Sequence, residues 1–280
     1  MDEVLYRAIL ERRSVRRYDS VSLEVGLLAR VRALADTVQP LVQTNTWRVL
    51  YTDELAREDL AILLGAYGRL LSAPHALVPH LLDGRDALID LGYRAEQLAV
   101  GLALLGLGSC YVGTLAHEGA LRARLNLASG ATVGALLLYG REATDWPGRA
   151  LNRTLRGSVG ATNKRPVDKL CYVDSFARAG LPPDELLPLL EAARSAPSAS
   201  NAQPWRFLWR QGVLHLYVTR RNLRYGLGPT QNYRLYDGGI CMANVALALR
   251  AMGRAGKWQL HTDAAPMHPD TLEPLAYLVL

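Results

Sequence analysis

Apolar residues recur at helical spacing in some stretches of the chain and form short continuous runs in others. Val4, Leu5, Ala8 and Ile9 would share one face of a helix over residues 2–11. Similar spacing and capping residues predict further helices at 22–35, from 52 or 53 to 64, and at 86–107, 182–194 and 237–252. Apolar and β-branched runs predict strands at 47–51, 76–82, 132–139, 205–209, 213–219 and 275–280. Residues 141–176 are polar and irregular, which favours a long connection or arm.

The second half of the predicted helix at 86–107 is apolar on all sides. A helix without a polar face is buried in the interior of a protein. Its small residues Gly92, Ala95, Ala99 and Ala103 would allow another backbone to come close. We therefore expect this helix to lie at the centre of the fold.

The order of elements in the first half of the chain returns in the second half. Both halves contain an Asp-x-Gly motif with a further glycine sixteen residues after the aspartate. A strand that contains Trp precedes each motif, and an apolar strand follows it. Three segments of the first half have a counterpart in the second: residues 90–106 match 237–253, residues 46–50 match 204–208, and residues 133–139 match 273–279. Two copies of one unit commonly associate as a pseudo-symmetric pair, which the sequence therefore predicts.

The composition is compatible with a large hydrophobic core and indicates which kinds of ligand the chain could bind. Half of the 280 residues are hydrophobic, which suits one large domain or two of ordinary size. The formal charge is +6, and only three of the basic residues are lysines. No long basic run occurs, so nucleic-acid binding has little support. Guanidinium groups bind phosphate in a bidentate way, so a site for a phosphate-bearing ligand fits as well.

Several other site classes lack their usual sequence signatures. The three cysteines form no CxxC pair and the six histidines show no ligand spacing, so we assign no disulfide framework and no metal. No GxGxxG motif follows a strand, which argues against a separate dinucleotide-binding domain. The acidic first residues do not resemble a signal peptide, and the apolar run at 98–107 is too short to span a bilayer. These features favour a soluble protein of the cytoplasm without a membrane partner.

Two polar segments carry the candidate chemistry. The first is the proline–serine loop, residues 196–205 (Ala-Pro-Ser-Ala-Ser-Asn-Ala-Gln-Pro-Trp), which follows a predicted helix and precedes a strand. Proline stiffens the backbone, and Ser and Asn side chains hold tight turns. Such a loop could grip the polar edge of a flat ligand, or it could be an ordinary connection between two elements.

The second is the arginine segment, residues 12–18 (Arg-Arg-Ser-Val-Arg-Arg-Tyr), at the end of the first predicted helix. In an extended chain Arg12, Ser14 and Arg16 would share one face. Two guanidinium groups and a hydroxyl suit a phosphate and neighbouring hydroxyls, whereas a solvated charge cluster at a helix end is the alternative. Arg13 and Arg17 would point the other way, toward solvent or acidic partners.

Together with residues 90–92 and 106–113, these two segments resemble the nitroreductase family of FMN-dependent flavoproteins. The resemblance implies an α+β, nitroreductase-like fold with central helices flanked by antiparallel-rich sheets. In that family two identical subunits form two FMN sites at their interface. One subunit supplies the arginine segment of each site, and the other supplies the proline–serine loop. The family also contains tandem single-chain members, which this chain resembles more closely.

The two copies of the repeat retain complementary halves of such a site. The first copy, residues 1–160, has the arginine segment but not the loop. The second copy, residues 177–280, has the loop but no arginine segment, and residues 161–176 would cross between the copies as an arm. The resemblance therefore implies two half-repeats that form an internal pseudo-dimer with one FMN site per chain. Such a monomer could also oligomerise further.

The resemblance also implies a role for individual residues. Arg12, Ser14 and Arg16 would bind the FMN phosphate and ribityl chain, and Lys164 and Arg165 of the arm would close on the same phosphate. The positions expected around the flavin ring are Arg69, Val112, Gly113, Pro197, Ser198, Ala199 and Asn201.

Each role around the ring has a plainer alternative. The backbone N–H groups of Val112 and Gly113 would face flavin N5, where charge develops, although this turn could equally be a helix C-cap. Arg69 would neutralise the reduced flavin near N1, or it is a surface arginine. The arm lysine, Lys164, could instead be part of a charged linker.

The function that this resemblance implies is that of an FMN-dependent oxidoreductase. Hydride would pass from NAD(P)H through FMN to a nitroaromatic, quinone or related small acceptor. No catalytic acid or base is required from the protein, because the cofactor carries the chemistry. The alternative is a flavin-binding or flavin-storing protein with little turnover, in which segment 222–232 forms a lid. Dehydrogenation of a peptide or natural product, and a degenerate fold without cofactor, also remain open.

Overall fold

Helices and two sheets alternate in the computed structural model, which describes residues 1–52, 73–145, 163–262 and 265–280 together with residues 58, 71, 148, 152 and 154. The helices are α1 (Glu3–Glu11), α2 (Val25–Thr37), α3 (Ala87–Leu104), α4 (Glu118–Arg124), α5 (Leu187–Ser195) and α6 (Tyr233–Ala251). The strands are β1 (Trp47–Thr52), β2 (His75–Leu81), β3 (Gly108–Gly113), β4 (Ala135–Gly140), β5 (Cys171–Val173), β6 (Trp205–Arg210), β7 (Val213–Thr219), β8 (Lys257–Leu260) and β9 (Leu272–Val279).

The strands form one sheet from each half of the chain. The first sheet has the order β1-β2-β4-β3 and is antiparallel throughout. The second has the order β5-β6-β7-β9-β8, and β5 alone runs parallel to its neighbour, β6. The expected α+β architecture with antiparallel-rich sheets is therefore confirmed.

Helices α3 and α6 lie against each other at the centre, and most residues of both are buried. Gly92 of α3 meets the backbone of α6, because a Cβ atom at this position would lie 2.0 Å from the carbonyl oxygen of Tyr236. The sequence-based expectation of a central helix that another backbone approaches is thus confirmed. None of the helices that the structure describes has the length and apolar character needed to cross a bilayer.

At two glycines with positive φ values, the observed helix or strand boundary differs from the predicted one. Helix α3 stops before residue 107, because Gly106 adopts a φ of +74° and turns the chain into β3, a strand that the pattern did not predict. Strand β4 starts after residue 132, because Gly134 has a φ of +68° that is incompatible with an extended strand. Thr132 instead forms an isolated bridge with Leu81 of β2.

Other boundaries shift for reasons of local hydrogen bonding. The helix predicted from Ser22 begins only at Val25, because the Leu23 N–H donates to His75 Nε2 and Glu24 remains extended. Helix α6 begins one turn before residue 237. The short elements α4, β5 and β8 were not predicted. Apart from residues 52 and 58, the helix predicted from 52 or 53 to 64 lies outside the described residues.

Candidate cofactor site

A cavity of 680 Å³ lies between the arginine segment with β3 and the proline–serine loop with α6. This volume is within the range of about 300–1,000 Å³ that is usual for small-molecule sites. Nine residues of the predicted site line it: Arg12, Ser14, Arg16, Gly113, Lys164, Pro197, Ser198, Ala199 and Asn201. The fold therefore brings together two segments that lie far apart in the sequence.

Backbone pairing fixes the arginine segment beside β3. The Val15 N–H donates to the Ser109 carbonyl (2.9 Å), and Ser14 pairs with Ser109 as an isolated bridge. The N–H groups of Arg16 and Arg17 both donate to Asn152 Oδ1, at 2.9 and 3.0 Å. Arg12, Ser14 and Arg16 line the cavity, as the spacing predicts, and Arg13 also reaches it.

Arg12 is held by an acid that the sequence analysis did not single out. Its Nε lies 3.2 Å from Oε1 of Glu96, which is completely buried in α3. The hydroxyl of Tyr111 donates to the other carboxylate oxygen at 2.7 Å. Burial raises the pKa of Glu96, and the charge of Arg12 opposes that rise. Arg12 is thus partly neutralised by the protein, and its Nη1 is buried without a hydrogen-bond partner among the described residues.

Arg16 is the more available cation. Only 7% of the residue is exposed, and both Nε and Nη1 are buried without a partner in the described part of the chain. A buried guanidinium without a counter-charge is costly, so an anion in the cavity would stabilise it. Arg13, which was expected to face away, pairs with Glu142 at 2.8 Å and still reaches the cavity wall.

The proline–serine loop has a tightly curved backbone. Ser200, Asn201 and Gln203 all have positive φ values, at 51°, 51° and 48°. The conformation is stabilised by the Gln203 side chain, whose amide donates to the Asn163 carbonyl and whose Oε1 accepts from the Arg165 N–H. The expectation that Gln203 locks the loop, rather than lining the site, agrees with these contacts.

Asp237 joins this loop to α6 at the bottom of the cavity. Its Oδ2 accepts from the Ala199 N–H at 3.0 Å and from the Tyr225 hydroxyl at 2.8 Å. Burial raises the pKa of Asp237 to about 7, while these hydrogen bonds and Lys164 oppose the rise. The carboxyl therefore changes charge near neutral pH, inside the candidate site.

Segment 222–225 supports the same loop from its other side. Arg224 Nη1 donates to the carbonyls of Ser200 and Asn201 at 3.1 and 3.2 Å. Asn222 Nδ2 donates to the Ala202 carbonyl at 3.2 Å. These bonds satisfy outward-facing carbonyl groups of the strained loop and leave its inner face to the cavity.

Lys164 of the arm lies among charged groups of both halves. Its ammonium donates to the Ala196 carbonyl. Burial lowers the pKa of Lys164 to about 8, and Arg12 adds to this effect, whereas Glu96 and Asp237 oppose it. An incoming anion would favour the protonated form of this lysine.

In the first copy of the repeat, an aspartate of the central helix also accepts from a loop N–H, but an arginine side chain binds this aspartate as well. Asp90 Oδ1 accepts from the Leu41 N–H at 2.8 Å, as Asp237 accepts from the Ala199 N–H. Here Arg94, one turn further along α3, binds both oxygens of Asp90 and the carbonyl of Val42. The corresponding residue four positions after Asp237 is Cys241, whose side chain is too short for this role.

Two predicted residues of the described part of the chain, Val112 and Arg165, do not line the cavity. The Val112 side chain is buried in the core of the first sheet, although its neighbour Gly113 lies against the Tyr233 hydroxyl. The backbone N–H of Arg165 donates to Gln203 Oε1, and the residue is exposed to solvent. Arg69 lies outside the described residues.

Several aromatic and acidic residues line the cavity without having been predicted. Tyr111 follows the predicted glycine turn, and Tyr233, Tyr236 and Asp237 form the first turn of α6. Asp237 belongs to the repeated Asp-x-Gly motif, which was a usable signal for its importance. The tyrosines gave no such signal, because aromatic residues at these positions are equally expected in a core.

Comparison with known proteins places the chain among nitroreductases. The family model described as "Putative TM nitroreductase" matches residues 4–249. No curated protein matches the sequence of this chain. The structure of a "putative nitroreductase" from Thermotoga maritima MSB8 is 19% identical, with a TM-score of 0.60, and the alignment covers 99% of this chain and 93% of the other.

Shorter nitroreductases align with about half of the chain. An FMN-dependent nitroreductase from Clostridium difficile R20291 is 23% identical, with a TM-score of 0.42, and covers 49% of this chain and 87% of its own. A nitroreductase with bound FMN from Bacteroides fragilis is 21% identical, with a TM-score of 0.43, and covers 51% of this chain and 90% of its own. The full-length structural match shows a shared fold, and the family match extends over most of the sequence. The chain therefore belongs to this nitroreductase family.

Proposed function

We propose that the protein is an FMN-dependent oxidoreductase that transfers hydride from NAD(P)H through FMN to a nitroaromatic, quinone or related small acceptor. The FMN would occupy the cavity between the arginine segment and the proline–serine loop. Residues 1–160 and 177–280 would be the two nitroreductase-like copies, and residues 161–176 the arm that crosses between them. One chain would carry one site and act as a monomer in the cytoplasm.

The observation that carries this proposal is the composition of the cavity wall. Residues 12–14 and 16 come from one half of the chain, residues 197–201 come from the other, and both sets line one cavity. Buried nitrogens of Arg12 and Arg16 have no hydrogen-bond partner among the described residues. A phosphate group would supply both the missing charge and the missing acceptors. The residues present therefore fit a ligand with a phosphate at one end.

Each part of the wall suits a different part of FMN. Arg16, the free nitrogen of Arg12 and Lys164 would hold the phosphate. The Ser14 hydroxyl would meet the ribityl chain. The curved loop at 197–201 would line the ring edge, since its outer carbonyls are already bound by Arg224. When bound, FMN supplies the hydride chemistry, and the chain contributes binding and orientation.

The test is reconstitution of the purified protein with FMN, followed by absorption spectroscopy and NAD(P)H oxidation with a quinone. We expect a flavin spectrum perturbed by the protein and turnover that depends on FMN. Arg16→Gln should weaken FMN binding at least tenfold, because it removes the buried cation. Arg17→Gln is the matched control, since Arg17 does not line the cavity.

Two results would contradict the proposal. A wild-type protein that binds no FMN would remove its basis. Bound FMN that NAD(P)H cannot reduce would favour the flavin-storing alternative instead.

A further inference from the structure

Tyr236 lies in the first turn of α6 and lines the candidate cavity. The residue is 2% exposed. Its hydroxyl oxygen is buried and has no hydrogen-bond partner among the residues that the structure describes. Buried hydroxyl groups are nearly always bonded, so this one indicates a missing partner.

Close packing holds the ring of Tyr236 in place. A Cβ atom at Gly134 would lie 2.8 Å from both Cδ2 and Cε2 of this ring, so the ring packs closely against a position where only glycine leaves room. Tyr111 makes an edge contact, with 6.2 Å between ring centroids and an interplanar angle of 83°. The carbonyl oxygen of Tyr236 lies against Gly92 of α3. The hydroxyl therefore cannot easily swing toward another protein group.

The neighbouring tyrosines all have bonded hydroxyl groups. Tyr111 donates to Glu96, and Tyr225 donates to Asp237. The Tyr233 hydroxyl accepts from the Leu115 N–H at 3.0 Å. The Tyr236 hydroxyl, in the same region, has no such bond within the described part of the chain. Tyr236 thus combines a place in the cavity wall with a buried hydroxyl that lacks a partner among the described residues.

We infer that the Tyr236 hydroxyl donates a hydrogen bond to the molecule bound in the cavity. The acceptor on that molecule is a carbonyl oxygen or ring nitrogen, which FMN and a quinone or nitroaromatic acceptor both offer. This inference rests on the proposed function and assigns a binding and orienting residue to it. The hydroxyl acts as a donor that keeps its proton, because burial, Tyr233, Asp237 and Glu96 raise the pKa of Tyr236 well above its usual value.

The experiment compares wild type, Tyr236→Phe and Tyr217→Phe. Tyr217 is also completely buried, but its hydroxyl donates to the Pro266 carbonyl and it does not line the cavity. The measurements are the thermal stability of the apoprotein, the Kd for FMN, the bound-flavin spectrum and the KM for a quinone. The FMN and quinone measurements separate the two sources of the acceptor group.

For Tyr236→Phe we expect an apoprotein at least as stable as wild type, because the lost hydroxyl has no partner among the described residues. If the hydroxyl meets FMN, the Kd should rise about tenfold and the flavin spectrum should shift. If it meets the acceptor, the KM should rise by a similar factor with FMN binding unchanged. Tyr217→Phe should lower apoprotein stability and leave the ligand measurements as in wild type.

Two outcomes for Tyr236→Phe would overturn the inference. One is wild-type values for the FMN Kd, the flavin spectrum and the quinone KM together. The other is a clearly destabilised apoprotein, which would show that the hydroxyl has a structural partner. Failure of the wild-type protein to bind FMN is a separate result, and it would overturn the proposed function.

Discussion

Gly92 and Gly239 make reciprocal contacts across the crossing of α3 and α6. A Cβ atom at Gly92 would lie 2.0 Å from the carbonyl oxygen of Tyr236, and one at Gly239 would lie 2.0 Å from that of Ile89. Each glycine belongs to an Asp-x-Gly motif, and each touches the residue immediately before the other motif. The sequence repeat is therefore also a geometric repeat at the centre of the protein.

Alanine at either glycine should destabilise the protein. Gly92→Ala and Gly239→Ala would each force a methyl group into backbone, and we expect a loss of about 1–3 kcal/mol or more. Gly26→Ala is the control, because Gly26 is also helical but has open space around it. That change should stabilise by about 0.5–1 kcal/mol. Urea unfolding of the three variants measures these differences, and similar effects at all three sites would contradict the prediction.

Neutralising Glu96 should change how the cavity binds anions. Glu96→Gln keeps a group that can accept from Tyr111 but removes the charge that compensates Arg12. We expect FMN to bind more tightly while riboflavin, which lacks the phosphate, binds unchanged. The apoprotein should lose about 3–5 kcal/mol, because Arg12 stays buried without its partner.

Titrations with both flavins and urea unfolding check this prediction. Glu11→Gln is the control, since Glu11 pairs with Arg7 at the surface. Equal changes for FMN and riboflavin would show that the charge of Glu96 does not act on the phosphate end.

The ionisation of Asp237 should make stability fall as pH rises toward neutrality. Its folded pKa of about 7 lies above the ordinary value of 3.8, so the folded state binds the extra proton between these values. The protonated carboxyl therefore stabilises the folded state at low pH. The free energy of unfolding falls by about 1.4 kcal/mol for each pH unit as the pH rises from 3.8 to about 7.

Asp237→Asn keeps an oxygen for Ala199 and Tyr225 but cannot ionise. We expect this variant to be more stable than wild type at pH 8 and about equal to it near pH 4. Thermal unfolding between pH 4 and 8 measures the difference. A constant difference across that range would contradict the assignment.

His215, on the middle strand β7 of the second sheet, should contribute the opposite pH dependence. Burial, His261 and Arg210 lower the pKa of His215 to about 4 from 6.5. The unfolded chain therefore takes up the proton first, and stability is lost as pH falls from 6.5 toward 4. The parallel ring of His261, with centroids 5.6 Å apart, disfavours a charged His215.

His215→Gln should reduce the loss of stability that wild type shows as the pH falls from 6.5 toward 4. The exposed His117 provides a control, and His117→Gln should leave that loss unchanged. Melting temperatures at pH 4 to 7 compare the variants. Parallel curves for wild type and His215→Gln would exclude this residue as the cause.

Much of the site could be predicted because its two segments carry dense local signals. Prolines with Ser and Asn mark a stiff loop at 196–205, and alternation puts Arg12, Ser14 and Arg16 on one face. The resemblance to nitroreductases then implied that the two segments belong to one site, and the repeat assigned them to different halves of the chain. The character of each segment needs only short-range rules, whereas their pairing needed the family resemblance as well.

The remainder depends on contacts that no short window of sequence contains. The pairing of Arg12 with Glu96 requires the register of the arginine segment on β3 and the orientation of α3. Strand β3 itself was not predicted, because six residues after a helix give too little periodicity. Tyr236 is unusual because its buried hydroxyl has no partner in the described part of the chain, and this is visible only in three dimensions.

The walls of the cavity come from opposite halves of one polypeptide. Their meeting is consequently an intramolecular event, whose effective concentration is set by the chain and not by the amount of protein in solution. Dilution, which separates the subunits of an obligate homodimer, leaves these walls in contact. Ligand affinity should then be the same at nanomolar and micromolar protein.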